Sequence, residues 1–448
     1  MKLLLMLMPG VLLAQSLTIT EVIDQALQQY PSTRVNEEQI KVAAAGIEQA
    51  RLAYLPKADA IAQVNRATRN NVYGMLLQQQ VISPISGPPL AANAGANVWG
   101  SAVGFLLSWE PFDFGLRKAS VGVSEIAKQR AEASLKRTKF EVASLAADSY
   151  LTLLAAEQAL ASAKAGQERM VTIERIVKSL VDSGLRPGVD ASRTASEVAT
   201  TANQVIQAEE AVKMARVALA QLLHVEAQNI AVDPMRFLQM PTVLDANGDL
   251  KAHPAAIEQS FGNEESAARM KVIERSYYPK FNTQGTLYAR GTGANNDFTT
   301  GGGASGLGPN IYNWGLGFTM TYSLMDIPGL RVKKEIEAAR GKAEQARYEQ
   351  LLRDLEAQRN RAKVHLETTQ KLAGNTPVQL KSAREAHEQA SARYKAGLIS
   401  ILEATDTQRA LTAAEIDDSL ARLSIWRAML GIAIANGDLT DFLASSSK

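Results

Sequence analysis

Apolar positions along this chain fall into two periods. Over 98–111, Trp99, Val103, Phe105, Leu107 and Trp109 share one face while Gly100, Ala102, Gly104 and Ser108 share the other. Over 311–326, Tyr312, Trp314, Leu316, Phe318, Met320, Tyr322 and Leu324 oppose Asn313, Gly315, Gly317, Thr319, Thr321 and Ser323. A period of two predicts β-strands with one oily, aromatic face and one small, polar face. Elsewhere the period is helical. Val198, Val205, Val212 and Leu219 recur every seventh position, with Thr201, Ala208, Ala215 and Leu222 three residues after each, which predicts a coiled-coil helix over 188–224. The proline-free stretch 115–183, rich in Ala, Lys, Glu, Gln and Leu, predicts a single helix ~100 Å long.

The chain repeats itself. Tyr30-Pro31 returns as His253-Pro254 and Tyr54-Leu55-Pro56-Lys57 as Tyr277-Tyr278-Pro279-Lys280, at a spacing of 223 (254 − 31). Gly104-Phe105 returns as Gly317-Phe318 and Gly184-Leu185 as Gly397-Leu398, at 213 (317 − 104). Two tandem structural repeats follow, 15–238 and 239–448. The first holds strands near 58–72 and 98–111, the long helix 115–183 and the helix 188–224. The second holds a helix over 254–277, strands near 280–292 and 311–326, a long helix over 329–396 and a helix over 400–436. Two features mark the second copy: Asp418 falls where Val205 predicts an apolar knob, and Gly374-Asn375-Thr376-Pro377 is expected to break or kink the long helix.

Charge and composition narrow the partners. Lys and Arg number 48 against 46 Asp and Glu, with no long run of one sign, so nucleic acid is not an expected partner. The chain has no cysteine, and its four histidines are isolated from one another, so thiolate chemistry and a metal site lack support. The glycine-rich loops lack the Gly-x-x-x-x-Gly-Lys-Ser/Thr phosphate cradle, and no nucleophile–base pair stands out. The expectation is a protein that is not an enzyme and carries no cofactor. Met1-Lys2, the apolar run Leu3 to Leu13 and Ala14 read as a secretory signal over 1–14. Since no later apolar run approaches ~20 residues, a membrane could be entered only as β-strands. Trp99 and Trp109 are ten residues apart, ~33 Å along a strand or ~25 Å when tilted by ~40°, the height of an apolar band between aromatic girdles. Trp99, Trp109, Tyr312, Trp314 and Tyr322 are the candidate girdle in outer-membrane lipid. A soluble sandwich strand would be shorter and less aromatic. Four strands cannot close a barrel, and open edges in lipid are costly, so the chain must oligomerise; three copies give twelve strands.

At this point the sequence resembles the TolC-like outer-membrane channel proteins of efflux and export systems. The resemblance runs from Leu17-Thr18-Ile19-Thr20-Glu21 through Tyr30-Pro31 to Leu430-Gly431, and is most specific from Arg393-Tyr394-Lys395-Ala396-Gly397-Leu398 to Gln408-Arg409-Ala410-Leu411. It implies an α+β membrane protein: a homotrimer with a twelve-stranded outer-membrane β-barrel and a long periplasmic α-helical barrel of coiled coils. It also implies a constricted tip opened by a periplasmic adaptor protein working with an inner-membrane transporter. The implied function is a passive gated duct for small toxic compounds; a type I protein-secretion exit duct is the alternative. A soluble periplasmic coiled-coil adaptor is the rival from another class, and the aromatic strands argue against it.

The resemblance also assigns roles at the tips, where the turns Gly184-Leu185 and Gly397-Leu398 are the implied adaptor contacts. Glu403 and Asp406 match the family's acidic gate, a ring of carboxylates that would attract cations. The residues themselves leave an alternative open, because Ser400-x-x-Glu403 is also a helix-capping box. Asp190 and Tyr394 match a latch that holds the gate closed, although Asp190 also suits a first helical turn. Ile399 departs from the pattern, standing where the family's best-known member carries a latch arginine.

Overall fold

The computed structural model describes residues 17–71, 80–82, 88–241 and 248–446. The expected signal over 1–14 lies outside these residues, as does part of the loop from Tyr73 to Asn97. In order, the elements are α1 (Ile19–Gln29), α2 (Pro31–Leu52), β1 (Lys57–Thr68), β2 (Asn97–Phe112), α3 (Leu116–Asp182), α4 (Gly188–Leu223), α5 (Pro254–Arg275), β3 (Lys280–Thr292), β4 (Ile311–Thr321), α6 (Ile327–Lys395), α7 (Ile401–Asn436) and α8 (Thr440–Ser446). They fall into two compact units, one built from 1–40, 130–260 and 346–448 and the other from 41–129 and 261–345.

The second unit is built on an antiparallel sheet in the order β1-β2-β3-β4. Its register aligns Ala60, Phe105, Leu287 and Trp314 in one row across the strands, and Ile61, Gly104, Tyr288 and Asn313 in the next. Side chains alternate between faces along a strand, so these neighbouring rows lie on opposite sides. The first row belongs to an oily face with Phe105, Leu287, Trp314, Leu316 and Phe318 all exposed, Trp314 to 80%. Water is a poor solvent for so large a contiguous patch, which therefore marks contact with lipid or protein. Both outer strands, β1 and β4, have an unpaired edge among the described residues. The strands expected over 58–72 and 311–326 end sooner, at Thr68 and Thr321, which leaves Tyr322 just beyond β4. Arg69 turns inward at the first of these ends, and a 3₁₀ turn over Leu324–Asp326 takes over at the second.

The sheet passes into α3 through a polar corner. Asp113 accepts from the backbone N–H of Gly115 at 3.1 Å and of Arg117 at 2.7 Å, satisfying donors that the first turn of α3 leaves open. Arg117, 8% exposed, pairs with Asp113 at 2.8 Å, donates to the Ala53 carbonyl at 3.1 Å and lies 4.9 Å over the Tyr54 ring. Beside it Phe114, at φ 54°, stacks on Tyr278 at 4.9 Å.

The first unit has the larger core. Tyr150, Phe237, Trp426 and Phe442 form a chain of ring contacts 5.0–6.2 Å apart, packed among Leu151, Leu154, Leu219 and Leu223. The coiled-coil knobs Val205, Val212 and Leu219 are buried, as the heptads require.

The expected break at Gly374–Pro377 does not occur: α6 runs through Pro377. The segment is tied instead to α7. Thr376 Oγ1 donates to Asp418 Oδ1 at 3.1 Å, both residues are buried, and Asp418 pairs with Arg422 at 2.9 Å. The two oddities of the second repeat thus satisfy each other across the helix pair.

His253 serves α5 as a cap. Its Nδ1 accepts from the Ala255 N–H at 3.1 Å, which makes Nε2 the protonated nitrogen, and this donates to the Ile434 carbonyl at 3.2 Å. Burial, reinforced by the charge of Arg137, lowers its pKa from the usual ~6.5 against the Ile434 hydrogen bond, which raises it. Above that value His253 is neutral both folded and unfolded. As pH falls below it, the unfolded chain takes up a proton that the fold refuses, so stability drops. The midpoint of thermal unfolding should therefore fall between pH 7 and 5 by less in His253→Asn, which keeps a capping side chain, than in the parent.

Candidate functional site

Two turns in the first unit share one geometry. After α3, Gly184 adopts φ 73° and the N–H groups of Gly184 and Leu185 bond the Val181 and Leu180 carbonyls, both at 2.9 Å. After α6, Gly397 adopts φ 79°, and Gly397 and Leu398 bond the Tyr394 and Arg393 carbonyls, also at 2.9 Å. This closure satisfies the orphan carbonyls at a helix end, and the left-handed residue in it favours glycine. Its outcome is to place Leu185 and Leu398 outward, 71% and 69% exposed.

Arg186 joins the turns. Its guanidinium lies 4.9 Å over the Tyr394 ring and donates to the carbonyls of Tyr394 at 3.4 Å and Ile399 at 3.5 Å. A cation beside the last carbonyls of α6 also meets the negative end of the helix dipole. Tyr394, with Val177, Ile399, Ile401 and Ala404, forms a small apolar core beneath. The Tyr394 hydroxyl is buried with no hydrogen-bond partner among the described residues. Burial, and then the nearby charge of Asp190, push its pKa up. Asp190 and Tyr394 are thus electrostatic neighbours without a hydrogen bond in the single chain, and Arg186 is the residue that grips the tyrosine. Sequence reasoning passed over Arg186 because its partners lie over 200 residues away and two of them are backbone atoms.

Glu403 and Asp406 sit in the first two turns of α7. Ser400 caps that helix, its Oγ accepting the Glu403 N–H at 3.4 Å, and the Glu403 side chain is free to point elsewhere. Asp406 is not alone: it pairs with Arg409 at 3.3 Å, and Arg409 also donates to Glu197 on α4, Nε to Oε2 at 3.0 Å. That cluster of two acids and one base carries a net charge of −1. Arg409 was read only as part of the family-like stretch, with no role, and Glu197 was not singled out, although Glu197 could have been found by following the α4 heptads.

The chain can be compared with known proteins. The family model described as outer membrane efflux protein matches residues 22–224 and 243–437. No curated protein is significantly similar in sequence. In structure the chain resembles the outer-membrane channel OprN, with TM-score 0.75 and 21% identity over 94% of this chain and 89% of that one. It also resembles the Campylobacter jejuni outer membrane channel CmeC, with TM-score 0.73 and 17% identity over 96% and 89% of the two chains. The open state of the Neisseria gonorrhoeae outer membrane channel MtrE gives TM-score 0.70 and 16% identity over 94% and 89%.

Proposed function

The chain belongs to the outer membrane efflux protein family, and from that we propose that it works as a homotrimeric, passive, gated duct, fed by an inner-membrane transporter through a periplasmic adaptor. It is an outer-membrane efflux channel extending into the periplasm. Small toxic compounds are the proposed cargo.

The observation that carries the trimer is the open sheet. Each unpaired backbone group on β1 and β4 would cost several kcal/mol in hydrocarbon, so both edges must be covered. Pairing β4 of one copy with β1 of the next is antiparallel, and three copies close a ring of even strand number. Trp99, Trp109, Tyr312, Trp314 and Tyr322 then face lipid on the oily side. The two repeats, 15–238 and 239–448, each contribute one strand pair and one long helical hairpin.

Glu403 and Asp406, repeated around the axis, supply the cation-attracting ring, tempered by Arg409. Asp190 and Tyr394 bias the closed state, and the exposed Leu185 and Leu398 beside Gly184 and Gly397 are the apolar points an adaptor would grip.

Outer membranes of expressing cells, extracted in detergent and sized by light scattering with detergent mass subtracted, should contain particles of three chains. A soluble periplasmic particle would defeat this reading.

A further inference from the structure

We propose that the corner where β4 turns into α6 holds the headgroup of a phospholipid from the periplasmic leaflet, one that carries both a phosphodiester and a primary ammonium. The inference rests on the barrel reading above. It starts from the tandem repeat, because the two corners between sheet and long helix are built alike and finished differently.

In the first corner Arg117 is the plug. It is buried, pairs with Asp113 at 2.8 Å, donates to the carbonyls of Ala53 and Glu110 and lies over the Tyr54 ring. At the spacings of the repeat, these residues correspond to Leu330 (117 + 213), Asp326 (113 + 213), Ser276 (53 + 223), Ser323 (110 + 213) and Tyr277 (54 + 223). All five counterparts line one cavity of about 510 Å³. By this correspondence the cavity takes the place of a guanidinium, and the exchange of arginine for leucine opens it.

The other exchanges favour a phosphate. Ser120 becomes Lys333 (120 + 213) and Glu110 becomes Ser323, while Lys57 is kept as Lys280 (57 + 223), so the second corner gains a base and loses an acid. Lys280 and Lys333 both line the cavity, and neither forms an ion pair among the described residues. Two ammoniums beside one small volume suit a phosphodiester. Asp326 adds a second requirement, since it lacks the guanidinium that Asp113 has. The Gly115 N–H serves Asp113 at 3.1 Å, whereas its counterpart Pro328 (115 + 213) has no N–H to give. A phosphate alone would face that carboxylate as a like charge; a headgroup with its own ammonium pairs with it.

Position selects a lipid. Tyr322, just beyond β4, lines the cavity and is ten residues from Tyr312 (322 − 312), ~33 Å along an extended chain or ~25 Å after a ~40° tilt. The cavity therefore opens at the helix-side edge of the apolar band. Tyr278, on its wall, stacks on Phe114 at 4.9 Å; Phe114 lies 6.0 Å from Phe281, and Phe281 stacks on Phe318 of the oily face at 5.7 Å. Met325, 90% exposed, borders the same opening. Acyl chains lie along this aromatic surface while the headgroup enters the cavity.

Full-length protein extracted from outer membranes and stripped of lipid by detergent exchange is titrated with short-chain phosphatidylethanolamine, and native mass spectrometry counts the lipids on each particle. One lipid per chain should bind, at roughly tenfold lower concentration than phosphatidylglycerol of the same chain length, which has no ammonium. Leu330→Arg copies the plug of the first corner and should weaken that binding at least roughly tenfold, with a thermal midpoint no lower than the parent's. Lys280→Ala combined with Lys333→Ala should weaken both lipids alike, whereas Asp326→Asn should erase only the preference between them. Equal binding by Leu330→Arg and the parent, or no preference between the lipids in the parent, overturns the site. Soluble phosphoethanolamine that competes at the same concentration as the lipid overturns the membrane source. The mass of the particles in the same spectra tests the barrel separately: anything but three chains removes that reading, whereas the lipid count per chain tests the site.

Discussion

Arg186→Ala should turn a channel that is mostly shut into one that conducts at rest. The guanidinium over Tyr394 contributes ~1 kcal/mol and its two long hydrogen bonds together about as much, so in the proposed duct, where opening parts the two turns and breaks these contacts, each chain would lose ~2 kcal/mol of closed-state stability. Moving a two-state gate from 1:99 to 99:1 takes ~5.5 kcal/mol, and three copies moving together forfeit ~6 kcal/mol. The same bookkeeping separates Arg186 from Asp190. Asp190 touches Tyr394 only through its field, so Asp190→Ala should raise conductance far less. Arg186→Lys keeps the charge but loses the planar stack, and should fall between. Planar-bilayer recordings of the purified protein measure all three. If Arg186→Ala matches the parent, the turns are held by something else.

Asp418→Leu should markedly destabilise the helical unit. It strands the Thr376 hydroxyl at a buried position and leaves Arg422, which also reaches the Leu238 carbonyl at 3.3 Å, without its carboxylate. Removing one partner of a buried pair costs ~3–5 kcal/mol; with Arg422 38% exposed, about 2–3 kcal/mol per chain is the fitting expectation. Counterparts in the first repeat show what an apolar version looks like: Ala163 (376 − 213) and Val205 (418 − 213), both buried. Thr376→Val combined with Asp418→Leu should therefore be milder than Asp418→Leu alone, since replacing both partners leaves no orphan on the threonine side. Thermal unfolding of the four proteins closes the cycle, and additive losses would mean that the two residues act separately.

These two sites also mark where the sequence was legible and where it was not. Period-two alternation located β2 and β4, and helix composition placed α3 to within a residue of its ends, because both depend on local spacing; β1 and β3 alternate less cleanly and were placed mainly by the tandem repeat. Gly374–Pro377 misled for the opposite reason. A proline removes a local hydrogen bond, but the partner that steadies the helix there, Asp418, lies 42 residues on from Thr376 and was itself noticed only as a misplaced charge. At the tips, the glycines and leucines of the turns were readable from the repeat, whereas Arg186, Arg409 and Glu197 acquire meaning only once distant helices meet. Ile399, an anomaly in the sequence, is a core residue in the fold, with its carbonyl held by Arg186.

The unpaired edges of β1 and β4 also bear on inheritance. In the proposed trimer, a ring closed by three identical seams would tolerate no faulty member, since one chain with a spoiled edge opens the whole circle. In a cell making normal and edge-defective chains in equal amounts, random assembly leaves about one ring in eight free of the defect. Lesions at these edges would then be dominant, whereas a lesion that unfolds the chain before it can assemble would be recessive.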